Sequence, residues 1–125
     1  MKDENVKILE TKYPVIFQRG YGGMGIGDGW FKLINRMCGI IQNHLENNKD
    51  HIKYGHTTEK INDVICTQIK EKFGALRFYY SGGDDFVRGV TTMTEAMSCI
   101  ICETCGDPGK IKGQGWVKCR CEKCE

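Results

Sequence analysis

No stretch of the chain approaches the roughly 18 consecutive apolar residues that a membrane-spanning helix needs. No apolar segment follows Met1-Lys2-Asp3-Glu4-Asn5 to serve as the core of a secretory signal. The expectation is therefore a cytoplasmic protein with no membrane partner. An excess of charge of one sign is missing too. The 18 Lys and Arg against 16 Asp and Glu leave a net charge of +2, too little by itself to mark a nucleic-acid binder. Internal repeats, low-complexity tracts and an obvious linker are absent, so 125 residues read as one domain able to bury a core. Catalytic patterns are lacking as well. There is no paired histidine and carboxylate, no activated serine or cysteine motif, and no Walker or dinucleotide fingerprint. Asp28, Asp84 and Asp85 could in principle hold Mg²⁺, but glycine-aspartate turns arise commonly for structural reasons. The chain is not expected to be an enzyme.

What the chain does have is eight cysteines. In a reducing compartment thiols persist and disulfides are rare, which favours metal over a disulfide framework. Four of them form two Cys-x-x-Cys pairs, Cys102/Cys105 and Cys121/Cys124. Tetrahedral zinc takes four such ligands, a pair from each tight knuckle, and the separation of the pairs suits a zinc ribbon. Gly106 follows the first pair, where a knuckle often needs positive φ. Four thiolates leave no open coordination position, so the expected Zn²⁺ is structural. Cys119 rivals Cys121 but would make a poorer Cys-x4-Cys knuckle. Cys38, Cys66 and Cys99 read as ordinary buried thiols, and His44, His51 and His56 lack partners at ligand spacing.

Elsewhere the pattern gives a short strand at Val15-Ile16-Phe17, then the glycine-dense loop Gly20–Gly29. A helix follows with Asp28 as N-cap, its apolar face formed by Trp30, Leu33, Ile34, Met37, Ile41 and Leu45. Residues 46–60 read as a polar loop. Period-two alternation from Asn62 to Tyr80 predicts a β-hairpin turning at Phe73-Gly74. Ile65, Thr67, Ile69 and Phe73 are expected on one face of its first strand, with Cys66, Gln68, Lys70 and Lys72 on the other. Ser81–Asp85 then caps a second helix that buries Phe86, Val90, Met93, Met97 and Ile100. The fold class is α+β: a short antiparallel sheet with two helices packed on one face, residues 1–98, closed by a zinc ribbon at 99–125 in the same domain.

Three features could meet a ligand. Lys70 and Lys72 share a face with Arg77 and Tyr79 on the next strand, forming one cationic and aromatic patch. Two glycine-rich loops lead into helix N-termini, which favour anions. Trp30 could stack on a base, and Asp84 could accept hydrogen bonds from a ribose. Each has a plainer alternative: solvated surface for the hairpin face, turns for the glycines, helix capping for Asp84 and core packing for Trp30.

Gly27-Asp28-Gly29-Trp30-Phe31, Ile69-Lys70-Glu71-Lys72-Phe73-Gly74, Leu76-Arg77-Phe78-Tyr79-Tyr80-Ser81-Gly82-Gly83-Asp84, Glu95-Ala96-Met97-Ser98 and Cys102-x-x-Cys105-Gly106 resemble a family of small phage and prophage proteins. The resemblance spans about Pro14 to Cys124. It implies the same four zinc ligands, with Cys99 and Cys119 as extras, and a host-cell cytoplasmic location. Small phage proteins of this size include sponges that sequester nucleotide signals of bacterial defence systems, and the kinship implies such a role here.

The resulting expectation is a non-enzymatic binder of an anionic, nucleotide-type small molecule. Arg77, Lys70 and Lys72 would meet phosphates, Tyr79 or Trp30 would stack, and Asp84 would meet a ribose. The second reading is a nucleic-acid-binding or protein-adaptor module, for which Lys110, Lys112, Lys118, Arg120 and Lys123 make the ribbon basic; Glu103, Asp107 and Glu122 dilute that charge. A concave pocket would favour the small molecule and an open stripe the polymer. The sequence leaves room for a homo-oligomer.

Overall fold

The computed structural model describes all 125 residues. In chain order it has α1 (Asp3–Lys12), a 3-10 turn (Asp28–Trp30) running into α2 (Phe31–Lys53), the hairpin β1 (Ile65–Lys72) and β2 (Ala75–Ser81), α3 (Asp85–Ser98), and a second hairpin β3 (Lys110–Lys112) and β4 (Lys118–Arg120). The class is α+β, with two separate two-stranded antiparallel sheets and a C-terminal cysteine cluster. No helix is long and apolar enough to cross a membrane.

The first helix was not legible as one, because it buries only Leu9. Asp3 and Glu4 in its first turn and Lys12 in its last oppose the helix dipole favourably. Its N-terminus is satisfied from afar: Asp28 Oδ1 accepts from the Lys2 backbone N–H at 2.8 Å and from Asn5 Nδ2 at 3.0 Å. Asp28 thus serves α1, not α2 as the sequence suggested. Val15-Ile16-Phe17 is a turn, not a strand. Ile16 and Phe17 are still buried, and the Ile16 carbonyl accepts from Cys66 N at 2.8 Å. The α2 helix buries Ile34, Met37, Cys38, Ile41 and Leu45 and runs to Lys53, well into the segment expected to be a loop.

In the hairpin, Lys70 faces Arg77 and Ile69 faces Phe78, with a bulge between Cys66 and Gln68. A bulge adds one residue to the strand and so resets side-chain alternation. Cys66 is therefore buried along with Ile69, and Thr67 is exposed, the reverse of the expected parity for that pair. Phe73 and Gly74 make the turn with φ of 54° and 84°, the left-handed pair that a tight hairpin needs. Phe73 is 68% exposed and not part of the core.

The α3 helix is turned over relative to expectation. Its buried residues are Val87, Thr91, Thr94 and Ser98, while Phe86, Met93, Met97 and Ile100 are exposed. The reason is the free edge of β2. Ser98 Oγ accepts from Leu76 N at 2.9 Å, and Glu95 Oε2 accepts from Phe78 N at 2.8 Å. Unpaired strand-edge N–H groups must find acceptors when covered, so the polar side of α3 faces inward. The outer edge of β1 is covered in turn by the glycine loop, through a parallel bridge between Met24 and Ile69.

Candidate metal centre and cationic face

The Sγ atoms of Cys102, Cys105, Cys121 and Cys124 lie within 4.8 Å of one another, and Cys105 and Cys121 approach to 3.6 Å. A tetrahedral thiolate site with bonds of about 2.3 Å places its sulfurs about 3.8 Å apart, so the residues fit a four-coordinate ion. No disulfide joins them. The first knuckle closes through Gly106, with φ of 86°, whose N–H reaches the Cys102 carbonyl at 2.9 Å. The second closes through Cys124 N to Cys121 O at 3.2 Å. Burial pushes the Cys102 thiol up, but backbone N–H groups of Cys105, Cys121 and Thr104 outweigh it and bring the thiol down to about 6. Cys124 is pushed up to about 12, first by its hydrogen bond to Cys121. Four crowded sulfurs cannot all shed their protons without a cation among them.

Cys119 stands outside the cluster. It is fully buried, and its Sγ–H reaches the carbonyls of Ile101 at 3.1 Å and Cys99 at 3.3 Å. Cys38 and Cys66 are also buried thiols whose pKa burial raises, that of Cys66 to about 12.

The glycine loop before α2 is a socket for this cluster. Gly29 N donates to Glu103 O at 2.8 Å, Gly27 N donates to Glu103 Oε2 at 3.0 Å, and Trp30 Nε1 donates to Ile101 O at 2.9 Å. A Cβ on Gly29 would lie 2.0 Å from the Cys102 carbonyl oxygen, and one on Gly27 2.2 Å from that of Glu103. Backbone approaches this close admit only glycine. The Gly27 and Gly29 N–H groups are therefore engaged by Glu103 and not turned to a phosphate. Trp30 is 0% exposed and offers no face to a base. Glu103 itself is buried beside Arg120 Nη1 at 3.3 Å.

Asp84 is likewise occupied. Its Oδ1 accepts from Val87 N at 3.1 Å, capping α3, and its Oδ2 meets His44 Nε2 at 2.9 Å. It faces α2, and neither it nor Trp30 joins the hairpin patch. That patch does assemble around its other members. Lys70 and Arg77 are opposite one another, Tyr79 lies opposite Gln68, and Lys70 Nζ stands 5.9 Å from the Tyr79 ring centre. None of Lys70, Lys72 and Arg77 takes part in an ion pair.

Phe73 and Trp116, neither of which the sequence reading counted as a ligand contact, extend this face. Phe73 and Trp116 line one cleft of about 200 Å³ at the junction of the two hairpins, together with Lys72 and Glu71. Trp116 is 78% exposed, with Lys118 Nζ 5.2 Å from its ring centre, and Lys72 Nζ is 5.5 Å from that of Phe73. An ion pair between Lys118 and Glu71 ties the hairpins together. The available signal was an apolar residue at each hairpin tip, where only turn residues are required. No family model, curated protein or solved structure matches the chain.

Proposed function

We propose that this protein is a non-catalytic module, built around a structural Zn²⁺, that binds single-stranded nucleic acid across its two hairpins. Four thiolates select a soft or borderline ion such as zinc over magnesium or calcium, and a closed sphere leaves no position for catalysis. The observation that carries the binding reading is three exposed aromatic rings on the two hairpins, Phe73 and Trp116 sharing one cleft, each ring with a lysine beside it. Tyr79 with Lys70, Phe73 with Lys72 and Trp116 with Lys118 stand at 5.9, 5.5 and 5.2 Å. Successive bases stack on such rings while the cations follow the backbone. The position of Phe73 adds to this. A bulky side chain at positive φ is disfavoured in a turn that Asn or Gly would fill more comfortably, so the exposed ring has a use outside the fold. A nucleotide-sized molecule would call for a concave site here, whereas Lys70, Arg77 and Tyr79 line none of the main clefts of the molecule.

Fluorescence anisotropy with a labelled oligothymidylate of about 12 nucleotides tests this. Trp116→Ala and Tyr79→Ala should each weaken binding by about 5-fold or more, since base stacking contributes about 1–3 kcal/mol per ring. With Lys70, Lys72 and Arg77 free of ion pairs, log K should fall against log salt with a slope of about −2. Unchanged affinity in both aromatic variants, or binding insensitive to salt, would refute the proposal.

A further inference from the structure

A second cationic surface lies away from the hairpins, between the end of α1 and the middle of α2. There a cavity of about 600 Å³ is lined by Lys12, Lys32, Arg36, Tyr13, Asn35 and Asn43 among others, with no carboxylate in its wall. The volume is within the range of small-molecule sites. None of the three cations takes part in an ion pair, unlike Lys112, Lys118 and Arg120 of the second hairpin, which all do.

Between them Asn35 is turned to donate. Asn35 Oδ1 accepts from Lys12 Nζ at 3.1 Å and from Tyr13 OH at 2.7 Å. An ammonium can only donate, so Lys12 fixes which way the Asn35 amide is turned. The acceptor end of Asn35 is thereby used within the protein, and its Nδ2 donors have no protein partner. Tyr13 is 5% exposed, and its hydroxyl also reaches the Asn35 carbonyl at 3.0 Å, so the back wall is held rigidly. Three unpaired cations and a fixed amide donor, with no acidic side chain in the wall, match a ligand made of acceptors and negative charge.

We propose that this cavity binds a small molecule through a chain of phosphates. Arg36 offers a planar fork suited to two phosphate oxygens, and Lys12 and Lys32 act as flanking point charges. The site uses α1 and α2 only and stands independently of the hairpin reading.

Isothermal titration calorimetry of the metal-loaded full chain with inorganic tripolyphosphate tests the assignment. The expected result is saturable binding of one tripolyphosphate per chain. It should weaken about tenfold or more in the double variant Lys32→Gln/Arg36→Gln, because each removes charged hydrogen bonds, and should be unaltered by Arg77→Ala. Lys32 and Arg36 are both exposed, so the double variant should melt as the parent does, and its melting curve checks this. Absence of saturable binding at millimolar tripolyphosphate, or equal affinity in the folded double variant, would overturn the proposal. So would loss of binding in Arg77→Ala alone, which would move the site to the hairpin.

Discussion

Replacing Gly29 by alanine adds one methyl group to a surface-lying turn, yet it should be among the most damaging single changes in the chain. The new Cβ would lie 2.0 Å from the Cys102 carbonyl oxygen and 2.6 Å from that of Glu103. Carbon and carbonyl oxygen settle about 3.3 Å apart, so the first cysteine knuckle and the turn must separate by roughly 1.3 Å. Both are backbone, and no rotamer change relieves the contact. The hydrogen bonds Gly29 N to Glu103 O at 2.8 Å and Trp30 Nε1 to Ile101 O at 2.9 Å span the same seam and would be lost with it. Each contributes about 1 kcal/mol net, and overpacking adds about 1–3 kcal/mol, for a total of about 3–5 kcal/mol. In a domain of this size each kcal/mol moves the melting temperature by about 3–5 °C, so a fall of about 9–25 °C is expected.

Differential scanning calorimetry of the metal-loaded protein measures this, with Gly25→Ala as the reference. A Cβ on Gly25 would meet nothing within 4 Å, so that change should be neutral or slightly stabilising, through a less flexible unfolded chain. Because the displaced backbone carries Cys102, a competing chelator should also strip the metal faster from Gly29→Ala than from Gly25→Ala. Equal melting temperatures and equal metal release for the two variants would refute the idea that the glycine turn is the socket of the cysteine cluster.

Two further outcomes follow from the same geometry. Cys119→Ser should leave one metal ion per chain by elemental analysis, whereas Cys121→Ser should lose it, because only the latter sulfur lies in the four-sulfur cluster; the reverse result would reassign the ligands. Burial pushes the Asp84 carboxyl up, but hydrogen bonds from His44 and Val87 N–H outweigh it and hold it below its ordinary value of 3.8. A depressed carboxyl contributes stability that is present above the unfolded pKa and is lost as pH falls through the folded one. Asp84→Ala should therefore cost about 1 kcal/mol at neutral pH, the usual cost of losing an N-cap, and that cost should shrink in urea melts run below about pH 4. A pH-independent difference would contradict this account.

The parts of the fold that were legible were those where side-chain chemistry alone sets the structure. Two Cys-x-x-Cys pairs identify the cluster without any knowledge of the surroundings, and Gly106 adopts the positive φ expected of it. The hairpin around Phe73-Gly74 and the apolar face of α2 follow from periodicity. The first helix was missed because a helix that buries one leucine has almost no periodic signal. The bulge at Cys66–Gln68 has no composition signature, and it exchanged the expected places of Cys66 and Thr67.

The inverted α3 and the glycine turn before Trp30 share a deeper cause. In both, the demand comes from the backbone of a distant segment. Helix periodicity assumes that what a helix must bury is its apolar side, and Phe86, Val90, Met93 and Met97 satisfy that pattern well. The free edge of β2 presents Leu76 and Phe78 N–H groups whose burial without acceptors would cost about 1–3 kcal/mol each. Ser98 and Glu95 answer them, and turning the apolar side inward would leave both groups unpaired. The GDG sequence invites a phosphate-loop reading for the same reason, since glycine records close backbone approach but not what approaches. Here it is the carbonyls of Cys102 and Glu103. Glu103, an acidic residue inside a Cys-x-x-Cys knuckle, was the available clue: buried, it needs donors, and Gly27 N–H and Arg120 supply them. Backbone demand of this kind is set by tertiary neighbours, and hydropathy along one segment does not carry it.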